Sequence, residues 1–347
     1  MRAVVALVEA RPETIIEDYD RVLRLAGLER VWKDSPAAAL AAQAVPGGWF
    51  PGAGSPPWQL DGVLTWLAKL PSAPRDGNPG AGAVVLPTSP AGGSLQASGW
   101  GWDDVMAKHG AGFASEHFRH PRSFRAEPPL TALEDAVPGK LTLPAGLRDR
   151  PTLLMPVPAL DPARPIVGAV ALLRALLAPE LGKASEEAAG EILADVLRFA
   201  GQALPGLGIV MDGVWWQVGR RSGTTRPVGR NILLAGRDPV AVDAVAARLA
   251  GRDPGRDPWF RLWRDLGLGA VRAGDIRLVG RTDLAALDFG VPDKAVGGPA
   301  LGWDQVPFSG RVERQFKRSS LVKQLAQTPW GGLFEAYRTG GSVWERG

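Results

Sequence analysis

Short, almost unbroken apolar runs constrain this chain more than any other feature. They fall at residues 3–8, 83–87, 152–157, 207–211, 231–236 and 275–280. All six read as strands, and 152–157 and 207–211, which lack the polar alternation of a half-exposed strand, read as buried ones. Helical repeats lie between them. Ile15, Tyr19, Val22, Leu23 and Ala26 keep a helical spacing up to Gly27, and Leu60, Val63, Leu64 and Leu67 share one face of a helix over 58–70. Ile192, Leu193, Val196, Leu197 and Ala200 do the same in a helix opening at Ser185, and further helices are predicted over 102–109, 161–177 and 259–266. Residues 29–33 read as one more strand.

Strand followed by helix, repeated along the chain, predicts an α/β fold of mainly parallel sheet with crossover helices, in which ligands sit at the C-terminal ends of strands. The loops at 46–57 and 88–99 then share one edge. The expected organisation is an N-terminal α/β lobe over 1–150, a C-terminal α/β lobe over 151–290, and an irregular Gly/Pro/Trp-rich basic arm over 291–347. That arm lies over the body or offers a contact to a protein partner.

Composition removes several chemistries. Without a cysteine there is no disulfide, thiolate nucleophile, cysteine-ligated zinc or iron–sulfur cluster. The net charge of +4 resides wholly in residues 311–347, where five Arg and two Lys face three Glu. A mild excess confined to a tail argues against nucleic acid as a partner. The start of the chain has too few apolar residues before Glu9 for a secretory or spanning segment, and the longest apolar stretch, 166–178, is interrupted by Arg174. A cytoplasmic protein without membrane partners is expected.

Three carboxylates stand out as catalytic or binding candidates. The strand at 207–211 ends on Asp212-Gly213, which delivers a carboxylate to its C-terminal end. Asp238 precedes Pro239 as a natural helix N-cap, with Gly251 placed to stop that helix. Asp243 lies inside the helix on an almost wholly apolar surface. It is therefore either a site residue or the buried partner of an arginine such as Arg237 or Arg248. Gathered at one loop edge, Asp212 and Asp243 would act as acid and base or as oxygen ligands of a divalent cation, with Asp238 beside them. Asp212 reads equally as a residue that closes a turn with Gly213, and Asp238 as a cap alone. Gly92, Gly93 and Ser94, behind a strand, can turn backbone N–H groups toward an anion, and Lys33, at the end of the second strand, either faces an anion or is a solvated strand terminus. His109, His117 and His120 fall close together, as metal ligands or by surface accident. Trp100, Trp102, Trp215 and Trp216 either stack a planar ligand or pack in the core.

The run Ile209-Val210-Met211-Asp212-Gly213, then Asn231 to Gly236, then Asp238-Pro239-Val240-Ala241-Val242-Asp243-Ala244-Val245, then Gly251, Gly267-Leu268-Gly269 and 276–280, resembles the C-terminal half of the DUF362 family. Residues 98–110 and the strand–helix start are similar to its N-terminal half. The family's Lys-Pro-Asn survives only as Lys33, followed by Asp34-Ser35-Pro36. Its Lys-Thr-His is replaced by Ala159-Leu160-Asp161, and its Lys-Asn by residues around Leu173-Arg174-Ala175. The Gly-Pro loop is rewritten as Gly223-Thr224-Thr225-Arg226-Pro227, and the cluster insert of many relatives is absent with the cysteines. The resemblance implies a fold and a pocket rather than a reaction. The expectation is an enzyme that binds a small anionic ligand at a carboxylate-lined site, assisted by a divalent cation. The alternative is a homologue without catalysis that serves as a binding or scaffold subunit.

Overall fold

The apolar runs hydrogen-bond into one sheet. The computed structural model describes residues 2–35, 37–44, 52–72, 82–88, 101–114, 121–123, 129–136, 142–148, 150–160, 167–178, 186–204, 206–218, 222–223, 226–286, 301–302 and 327–339. Its strands are β1 (Ala3–Glu9), β2 (Ala38–Gln43), β3 (Ala83–Thr88), β4 (Gly112–Phe113), β5 (Pro121–Ser123), β6 (Thr142–Pro144), β7 (Thr152–Met155), β8 (Ala159–Leu160), β9 (Gly208–Val218), β10 (Ser222–Gly223), β11 (Arg226–Gly236), β12 (Ile276–Gly280) and β13 (Leu301–Gly302). Nine of them form one sheet in the order β12-β1-β11-β9-β7-β2-β3-β4, with β8 pairing off β9. β5–β6 and β10–β13 make two small sheets of their own. All neighbours in the large sheet run parallel except β11, which is antiparallel to both β1 and β9. The α/β class and its mostly parallel sheet are as expected.

The helices are α1 (Ile15–Leu25), α2 (Glu29–Trp32), α3 (Pro57–Ala68), α4 (Trp102–His109), α5 (Thr131–Ala136), α6 (Ala145–Arg148), α7 (Ala169–Leu177), α8 (Glu186–Ala203), α9 (Pro239–Leu249), α10 (Pro258–Asp265) and α11 (Pro329–Arg338). They cover both faces of the sheet. Side chains alternate along each strand, so Val5, Leu7, Ile209 and Met211 pack with α7, α8, α9 and α10. Ala6, Val8, Val210 and Val214 pack on the other side with α1, α3, α4 and α11. Burial on both sides is why β1 and β7 are nearly continuous apolar runs, whereas the edge strand β12 carries exposed Arg277.

Three expectations change. Residues 29–33 are not a strand: Glu29–Trp32 is a helical turn, and Trp32 sends its indole N–H to the carbonyl of Gly206 at 2.9 Å. The second strand is instead Ala38–Gln43, an alanine-rich stretch whose local preference is helical. It is extended because β3 and β7 pair along both of its edges and helices bury both of its faces. Nor does a boundary at 150 separate two lobes. β1 pairs with β11 and β12 and β2 pairs with β7, so strands from 1–150 and 151–290 interleave in one sheet. Of the arm, the described residues include a helix, α11, whose Trp330 and Tyr337 are buried against the body. No helix among the described residues is long and apolar enough to cross a membrane.

Candidate functional site

The three carboxylates singled out in the sequence do not meet. Strand β9 does not stop at Met211 but runs on to Val218, leaving Asp212 in mid-strand opposite Leu233. Its side chain points between Val210 and Val214 to the α1–α3 face. There it accepts from the Tyr19 hydroxyl at 2.6 Å, the Trp58 indole at 2.9 Å and the backbone N–H of Val214 at 3.0 Å. Asp243 is on the opposite face. Its Oδ1 accepts from the backbone N–H groups of Gly168 at 3.0 Å and Ala169 at 2.8 Å, and its Oδ2 from Val170 at 3.0 Å. Gly168 packs against Met211, the neighbour of Asp212 that points the other way, so the sheet itself stands between the two acids.

Asp243 is thus neither an exposed site residue nor the partner of an arginine. Arg237 is exposed, and Arg248 donates to the carbonyls of Val271 and Ala244. The carboxylate instead caps α7, whose first N–H groups have no intrahelical acceptors and whose own N-cap residue, Gly168, has no side chain to offer. Burial lifts the Asp243 carboxyl to about 6 against the opposing pull of these N–H groups. Asp238 lies at a third place. Because β11 is reversed, its last residue, Gly236, pairs with Ile209 near the start of β9, and Asp238 falls at the edge where the parallel strands begin. There it caps α9 through the N–H of Ala241 at 3.0 Å and ties down Ala270 at 2.8 Å. Burial raises the carboxyls of both Asp212 and Asp238, opposed by these hydrogen bonds.

Among the described residues, no group of three or more His, Asp or Glu side chains is placed to hold a metal ion. Lys33 follows α2 instead of ending a strand; its side chain is exposed, 3.8 Å from Asp34. Gly92, Gly93, Ser94, Trp100, His117 and His120 lie outside the described residues. Trp102 and Trp216 are buried, with their indoles on the carbonyls of Ser55 and Gly213. At the C-terminal edge, Ser55 bridges β2 and β7, accepting from Gln43 N–H at 2.9 Å and donating to the Met155 carbonyl at 2.6 Å.

The structure does bring together a set of which the sequence patterns single out only His109. Asp61, fully buried on α3, accepts with one oxygen from His109 Nε2 at 2.6 Å and Lys108 Nζ at 3.1 Å. Its other oxygen accepts from the Tyr337 hydroxyl at 2.7 Å. Helix α4 places the first two, α3 the carboxylate, and α11 the phenol. One turn earlier on α3, Trp58 reaches Asp212, and its ring lies 5.4 Å from that of Trp330 on α11. Trp330 in turn donates to Asn231 Oδ1 at 2.9 Å. Burial first, then the charge of Asp212 hydrogen-bonded to it, hold the Tyr19 phenol well above its ordinary range. Tyr337 is raised likewise by burial and by Asp61, so both phenols stay protonated and donate.

Two signals for this cluster were present in the sequence. Asp61 interrupts the apolar stretch of α3, and Tyr19 and Tyr337 are the only two tyrosines of the chain. Neither signal says which groups meet. Fold and site define an α/β protein with a three-layer arrangement and a buried Asp61–His109–Tyr337 centre under one helix layer, with Lys108 joining it from the solvent side. Neither a protein-family model, nor a curated protein, nor a solved structure matches the chain.

Proposed function

We propose that the chain is a DUF362-type α/β protein that binds a small anionic molecule beside Lys108 and His109, and that His109 exchanges a proton with it. One observation carries this reading: a single oxygen of buried Asp61 holds an imidazole and an ammonium side by side, at 2.6 and 3.1 Å. A carboxylate that orients an imidazole is the arrangement of a general acid or base, and a neighbouring ammonium supplies attraction for an anion. Lys108 is 35% exposed, so its side chain reaches solvent while Asp61 does not.

The chain has three histidines, so their imidazole proton signals are assignable by NMR with one His109→Gln variant. Titration with inorganic phosphate should move the His109 signal, and the movement should weaken in Lys108→Ala. A wild-type His109 signal that ignores phosphate counts against the reading. A second reading, a binding or scaffold subunit without catalysis, is favoured by the commitment of Asp212, Asp238 and Asp243 to structural hydrogen bonds. Under it, His109→Gln leaves every activity of the protein unchanged.

A further inference from the structure

Helix α11 seats on the body the way one protein's helix seats in another's groove. Its contacts come from Trp330, Leu333, Phe334 and Tyr337, the i, i+3, i+4, i+7 pattern of a groove-bound amphipathic helix. Both ends are pinned by polar bonds, Trp330 Nε1 to Asn231 Oδ1 at 2.9 Å and Tyr337 Oη to Asp61 Oδ2 at 2.7 Å. Asn231 has φ 52, a left-handed conformation that a non-glycine residue adopts at a cost, and it sits at the irregularity in the β9–β11 pairing. The opposite end is equally specific. Gly101 has φ +78, and a Cβ there would come within 3.0 Å of the Tyr337 carbonyl.

The helix itself is weak. It has ten residues, below the length that holds alone in water, and Gly331 and Gly332 occupy its first turn. Its order therefore depends on the groove. What it covers is the Asp61 centre and the face of Trp58.

We propose that α11 is a tethered helical ligand that leaves and re-enters this groove as a unit, uncovering and covering the Asp61 centre. Its consequence for anion binding rests on the function proposed above; the motion itself does not.

Hydrogen exchange of the full chain, read by mass spectrometry, tests it. Amides of 330–338 should exchange together and at least tenfold faster than those of α1 and α3, which share the layer. Tyr337→Phe, which removes one hydrogen bond, should speed them by about a further tenfold, while unchanged α1 and β1 amides show that the variant is folded. Phosphate should then bind Tyr337→Phe more tightly than wild type. If α11 amides exchange as slowly as α1 in both proteins, or are not accelerated in Tyr337→Phe, the proposal is overturned whatever phosphate does. If α11 opens alone and phosphate leaves His109 unmoved in both proteins, the opening stands and the anion reading falls.

Discussion

At the scale of single residues, the α1–α3 face is set by close fits around buried acids. Gly62 shows how tight they are: a Cβ there would lie 2.7 Å from the ring of Tyr19. Gly62→Ala should displace Tyr19 from Asp212 and destabilise the fold by about 1–3 kcal/mol, measured as the shift of the urea midpoint. Asp243 makes a pH-dependent prediction. Its carboxyl is raised from an ordinary 3.8 to about 6. A raised folded-state value means that the folded chain holds the proton more tightly, so this group's contribution to stability falls as pH rises between about 4 and 6 and is flat above. Wild type should therefore lose stability relative to Asp243→Asn across that window, by up to about 3 kcal/mol at about 1.4 kcal/mol per unit. Urea unfolding of both proteins at several pH values checks it; a constant difference would mean that the group stays charged. The oddity of Asp243 was legible in the sequence because an acid on an apolar helix face needs partners. That its partners are backbone N–H groups was not, because every helix start carries such groups and no residue code marks them.

At the scale of elements, α7 is the clearest case of local structure completed from elsewhere. It begins at a glycine and carries no capping side chain, so its N-terminus is closed by a residue of α9. Asp243→Ala should leave three N–H groups without acceptors and cost about 2–4 kcal/mol, with faster hydrogen exchange at 168–172 than elsewhere in the helix. Helix α4 is predicted over the residues it occupies, since Gly110 stops it in a left-handed conformation that the sequence announces. Residues 29–33 fail for the converse reason. A β-branched residue beside a tryptophan suits a strand, but the segment forms a helical turn that docks Trp32 on the Gly206 carbonyl.

For the whole molecule, the interleaving of strands has a direct consequence. Residues 1–150 expressed alone should remain unfolded by circular dichroism, because β1 loses both neighbours and β2 loses β7. A cooperative melt of that fragment would contradict the single-sheet architecture. Sequence alone determined the class of this fold: strands buried on both faces must be continuous apolar runs, and that property is local. It also determined that cysteine chemistry plays no part. Tertiary structure decided the direction of β11, and with it the place of Asp238. Reversing one strand carries Asp238 to the far edge, while side-chain alternation around Met211 sends Asp212 and Asp243 to opposite faces. Strand direction follows from which edges pair, a long-range property on which residue order is silent. The same long-range packing brings Tyr337 to Asp61.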